Sequence, residues 1–205
     1  KIPSKLEILV NSSKKGFKAR KIIFSENENY ISLKNLYISD NLKIQSVDQI
    51  DVNFLNKNKV LNKFKIEKNS DNYNFTGSQI DGEMIVEKLL NGKSKNKISK
   101  LFSNINTSLV LKINKIHLEK NSYLEKFDGE LDIKNNKLFL AKINALLSNK
   151  NKFSYSFRTT NKNEKITNIF IEKPKPFINN YKFIKGFEGG ELKLNSVKID
   201  SISRS

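Results

Sequence analysis

From Ser4 to Asn195 the chain keeps returning to one pattern: a run of roughly ten residues in which apolar and polar side chains alternate, then a short turn rich in Asn, Asp and Lys. Alternation at period two puts all the apolar members of a strand on one face, and turns this short join a strand to its neighbour as a hairpin. Strands are expected over Ser4–Val10, Phe17–Ser25, Tyr30–Ser39, Leu42–Leu55, Lys59–Lys68 and Asn72–Ile80. After an interruption they resume over Thr107–Leu118, Tyr123–Lys134, Lys137–Ser148, Lys152–Thr160 and Lys165–Lys173, with Glu191–Asn195 and Val197–Ile202 at the end. In Leu42–Leu55 the apolar sets Leu42, Ile44 and Ile50, Val52, Phe54 are interrupted around Gln45 to Gln49 by Ser46 and Asp48, which allows a bend or bulge there.

The interruption has helical spacing. Asp81 is placed to cap a helix over 82–90 whose apolar face holds Ile85, Val86, Leu89 and Leu90, and Ile98, Leu101, Phe102 and Ile105 suggest a second helix from Lys97. A closing helix is expected over 176–185, with Phe177, Tyr181 and Ile184 on one face. Gly186 ends it, and Gly189 and Gly190 supply the turn into the last strands; Gly190 is expected at positive φ. The fold class is therefore mainly β: a long antiparallel, curved sheet, an open meander with two or three short covering helices. Its parts are an N-terminal meander over 1–81, a helical insertion over 82–105, and a second meander over 106–205 with the closing helix. Strand pattern reaching both ends suggests a segment of a longer chain with pairable edges.

Two stretches resemble a known family. The closing element, with Gly186, Gly189, Gly190, Leu192 and Leu194, is similar to the "short helix, then G-x-x-G-G-x-L-x-L" element of the AsmA-like C-terminal domain family, the YhdP/TamB type of bacterial envelope protein. Phe75 to Asp81, followed by Ile85, Val86, Leu89 and Leu90, resembles that family's strand ending in G-x-x-I-D before a helix. Where family members often carry Asp-Ala-Gly before the closing helix, this chain has Lys173–Pro176. The resemblance implies a bridge-like lipid carrier in the periplasm, anchored in the inner membrane by a segment not present here. Its curved sheet would shield phospholipid acyl chains between inner and outer membranes.

The residues themselves agree with a binding surface more than with an enzyme. There is no Cys, and His117 is the only histidine, so neither a metal site nor a nucleophilic triad has its usual parts, and no cofactor is expected. His117, between Ile116 and Leu118, reads as a surface histidine. The carboxylate pairs Asp48/Asp51 and Glu26/Glu28 lie among lysines and read as solvated charges. A net charge of +17 raises the question of nucleic acid. Lysines scattered along every strand, with Arg confined to Arg20, Arg158 and Arg204, make a solvated face the better reading. No nucleic acid is therefore expected as a partner, and a basic nucleic-acid-binding domain is only the lesser alternative. The strongest apolar face is expected from Leu109, Leu111, Ile113, Leu131, Ile133, Phe139, Ile143, Leu147, Phe153, Tyr155 and Phe157. These are the lipid-groove candidates. The alternative, a structural β module closed into a sandwich without ligand, would make the same residues ordinary core.

Overall fold

A strand alone leaves its backbone donors and acceptors unpaired and its apolar side in water; a short turn lets it satisfy both needs against its successor. A computed structural model carries this through the chain, describing residues 4–13, 16–83, 106–118, 122–162, 164–174 and 190–199. The strands are β1 (Ser4–Ser13), β2 (Gly16–Glu26), β3 (Asn29–Ser39), β4 (Ile44–Leu55), β5 (Leu61–Asn69) and β6 (Asn72–Asp81). They continue as β7 (Thr107–His117), β8 (Tyr123–Lys134), β9 (Lys137–Leu147), β10 (Lys152–Thr159), β11 (Glu164–Ile171) and β12 (Leu192–Ile199). All twelve form one open sheet in sequence order, with β1 and β12 at its edges. Apart from Gly82 and Glu83, the expected helices, with Gly186 and Gly189, lie outside the described residues.

Every neighbouring pair is antiparallel except β6 and β7, which run parallel from Tyr73/Leu109 to Asp81/His117. A parallel neighbour requires the chain to return along the strand, and residues 82–106 make that return. The two meanders thus share one sheet. The end of the chain differs from expectation in a smaller way: the two strands expected there are the single strand β12. Leu192 and Leu194 pair with Ile171 and Ile169, but Val197 pairs with Ile166 on the opposite face. That change of apolar phase, with no bulge, is what made one strand look like two.

The sheet does contain bulges, gathered in two rows. In the first the ladders skip Arg20, Asn35 and Asp48 on β2, β3 and β4; in the second they skip Ser78, Asn114 and Lys126 on β6, β7 and β8. Asn35 and Lys126 are both at φ 50. A further shift in β4 at Gln45 meets the bend allowed by the interruption of that strand's apolar pattern. An inserted residue would reverse which face the following side chains occupy, so the apolar positions step by three at these points: Ala19/Ile22, Leu33/Leu36, Val47/Ile50, Ile113/Ile116 and Leu124/Phe127. Each bulge bends its strand and increases its twist, which curves the sheet.

Turns use left-handed residues. Asn135 and Asn136, at φ 49 and 62, make the two-residue hairpin between β8 and β9 that Asn favours. Leu42 is a correction: expected at the start of a strand, it sits in the β3–β4 turn at φ 58, 72% exposed. Its N–H donates to the Ser39 carbonyl at 3.0 Å, which fixes the conformation. A left-handed Leu costs about 1–2 kcal/mol, and this one gains no burial in return. Leu42→Gly should therefore stabilise by roughly 0.5–1 kcal/mol after the added freedom of the unfolded chain is counted, a midpoint rise of about 2 °C on thermal melting. A fall in the midpoint would mean that the turn does not hold this conformation.

The buried core lies on one face under β6 to β11. Ile80, Ile113, Ile116, Leu118, Leu124, Ala145, Leu147 and Ile171 are all under 9% exposed, with Phe64, Phe75, Phe127, Phe153, Ile169 and Leu192 packed against them. Most of these positions are close to the end of the sheet where β6, β7, β9 and β11 finish. At about 1.5–3 kcal/mol per buried Leu or Ile, this cluster dominates the favourable terms.

Candidate functional site: an open apolar sheet face

Partners across a ladder share a face, so the register traces the apolar surface from edge to edge. On β1 to β4 it runs through Ile8/Ile22, Ile22/Leu33 and Leu33/Ile50. It continues through Ile50/Ile66, Ile66/Phe75 and Phe75/Leu111. Beyond β7 it passes along Leu109/Leu131, Leu131/Ala141, Ala141/Phe157, and in a parallel row along Gly129/Ile143, Ile143/Tyr155, Tyr155/Ile169 and Ile169/Leu194. The face therefore spans all twelve strands, about 50 Å at the usual strand separation.

The candidates on β7 to β10 belong to this face, with one exception. Leu111, Ile113 and Leu147 are buried, while Leu109, Leu131, Ile133, Ile143, Phe153, Tyr155 and Phe157 are half-buried. Phe139 falls at the register shift between β8 and β9 and has no partner in either ladder; Leu138 takes its place opposite Ile133. The Lys134 ammonium lies 3.8 Å from the Phe139 ring centroid. Phe139 is thus corrected to a site beside the face, and the extra residue of the bulge is the cause. Sequence reasoning also missed the first half of the surface, on β1 to β6. Its signal was there in the three-residue steps, which break simple alternation wherever a bulge intervenes.

One part of the face is closed and the rest is not. Toward the β1 edge it lies open: Leu6, Ile8 and Val10 are 61%, 55% and 49% exposed, and Leu194 at the other edge is 40% exposed. Tyr155 brings a hydroxyl into the half-buried region, and burial pushes its phenol above the ordinary value.

The opposite face is polar and carries both signs of charge. Lys112 stands across from Asp128, Lys142 from Glu130, and Lys65 from Asp51, alternating down the strands. Cross-strand pairs of this kind solvate a sheet face and contribute a few tenths of a kcal/mol each. The two carboxylates on β4 are held separately: Asp48 accepts from Asn35 Nδ2 at 2.8 Å and Asp51 from the Tyr30 hydroxyl at 3.2 Å. Asp81 accepts the Glu83 N–H at 3.1 Å, the bond of a capping carboxylate. Gly190 has the expected positive φ, at 98°.

His117 is not the surface histidine that its neighbours suggested. Its ring is half-buried, and Nε2 is shut from solvent with no hydrogen-bond partner. Burial, and then Lys115, hold its pKa below the ordinary value against the pull of Asp81. Among the described residues no group of three or more His, Cys, Asp or Glu side chains is placed to hold a metal.

No protein-family model, curated protein or solved structure matches the chain.

Proposed function

We propose that this chain is a segment of an AsmA-like envelope protein whose apolar sheet face carries phospholipid acyl chains through the periplasm, between inner and outer membranes. The observation that supports this most is an apolar face continuous over twelve strands, sealed in one region and open toward β1. Exposed apolar surface on this scale marks a binding face for something apolar. A sixteen-carbon chain laid on it would gain on the order of 10 kcal/mol, at about 0.8 kcal/mol per buried methylene. Successive strands offer nearly equivalent apolar environments, so a bound chain can shift along the face at little cost. Carriage of this kind requires no catalytic group; attachment to the inner membrane would fall to a part of the protein outside this segment.

Photo-crosslinking tests the proposal. A benzophenone amino acid at Phe157 or Leu131 should form adducts with phospholipid from vesicles, while the same probe at Ser156 or Leu140, on the alternate face, should not. Absence of adducts from the apolar positions, or equal labelling from both faces, would favour a structural sheet that holds no lipid.

A further inference from the structure

The corner of the sheet formed by β1 to β5 holds an open cleft of about 670 Å³ that draws its lining from both faces. Phe17 and Ile38 come from the apolar face, where they are cross-strand partners; Lys18, Tyr37 and Ser46 come from the polar face, where they are aligned in the same way. A flat sheet keeps its faces apart. Here the lining lies at the rim where β1, β3 and β5 finish and β2 and β4 begin, beside the shift at Gln45, and the cleft reaches round that rim to both faces.

Two cations enter this space from opposite sides. Lys18 Nζ sits 4.7 Å from the centroid of the Tyr37 ring, which positions the ammonium without neutralising it. Lys68, also in the lining, follows Phe64 and Ile66 on the apolar face and pairs across the ladder with Tyr73. Neither is among the lysines that form the ion pairs of the described residues, which are Lys5, Lys21, Lys65, Lys150 and Lys193. Asp48, the carboxylate in the lining, accepts from Asn35 Nδ2 and keeps its charge, so the two lysines leave the lining with a net positive charge of one.

We infer that this cleft binds the phosphate of an amphiphile whose chain lies on the adjoining apolar face. The inference rests on the reading of that face given above and adds a headgroup specificity to it. A volume of this size suits a small headgroup, Lys18 and Lys68 outnumber the one lining carboxylate, Asp48, and supply its counter-charge, and Phe17 and Ile38 meet the first methylenes of the chain.

The test uses dodecyl phosphate, dodecyl maltoside and inorganic phosphate as probes, each below any micelle concentration, with binding followed by calorimetry. Dodecyl phosphate should bind at least about tenfold more tightly than the maltoside, and inorganic phosphate should bind more weakly than dodecyl phosphate. Each lysine is expected to contribute about fivefold, so Lys18→Gln/Lys68→Gln should weaken dodecyl phosphate by roughly 25-fold and leave the maltoside unchanged. The corresponding double Arg variant should retain the preference. If both amphiphiles bind equally and the Gln double variant changes neither, the apolar face stands and the headgroup site is wrong. If neither amphiphile binds, the acyl-chain reading fails and this inference fails with it. Inorganic phosphate binding as tightly as dodecyl phosphate would identify a site for the free anion instead.

Discussion

Ile143→Asp should leave the sheet folded and weaken acyl-chain binding by at least about tenfold, whereas Ile113→Asp should unfold the protein. Both residues belong to the apolar face, yet their surroundings differ. Ile143 is half-buried between Gly129 and Tyr155, so water can reach a carboxylate there, and the cost falls on any chain that must lie against it. Ile113 is 3% exposed within the core cluster. An unpaired carboxylate at that position loses its hydration without a partner, a penalty of several kcal/mol against a total stability of about 5–15 kcal/mol. Circular dichroism melting together with a fluorescent fatty-acid titration separates the two effects. Unfolding of both variants would show that the half-buried region is as sealed as the core, and the surface would then be the interior of a structural module.

Gly77→Val should destabilise by about 1–3 kcal/mol, read as a lower denaturant midpoint. A Cβ at Gly77 would lie 2.9 Å from Phe64 Cβ and 3.1 Å from the Lys63 carbonyl oxygen, and both contacts come from the neighbouring strand. The Phe64 and Phe75 rings are 5.1 Å apart, so moving Phe64 away from a new side chain would disturb that pair. Gly77 also precedes the skipped residue Ser78, next to the parallel pairing of β6 with β7. A variant with an unchanged midpoint would mean that Phe64 does not approach β6 as closely as this.

The strands were legible because alternation survives wherever β-structure is regular. Phe153, Tyr155 and Phe157 were placed together correctly, and Ala141, Ile143 and Ala145 answer them across the ladder. Phe139 was misplaced because a bulge adds a residue without changing the chemistry of its neighbours, so alternation counted through it gives the wrong face. Leu42 was misread because an apolar side chain says nothing of its own φ. The parallel pairing of β6 and β7 lay beyond reach for another reason: alternation gives which residues share a face, while strand direction depends on where residues 82–106 bring the chain back. His117 shows a similar limit, since the closure around Nε2 comes from packing and not from the adjacent residues.

The bulge rows also bear on how such a sequence can vary. A one-residue deletion at Lys126 would remove the inserted position and leave Leu124 and Phe127 two residues apart, so both keep the apolar face and only the bend is lost. A one-residue deletion at Asp128, in contrast, would turn Gly129 and Leu131 over and present Glu130 to the apolar face. A change of two residues in one of these strands keeps side-chain parity, and the hairpin turns absorb length at small cost. Because Ser78, Asn114 and Lys126 sit side by side on three neighbouring strands, losing one also leaves the other two bends without a counterpart. Length changes in this chain are thus tolerated in the turns, and within the strands the faces survive even-numbered changes or the loss of a skipped residue, the latter at the expense of a bend shared across its row.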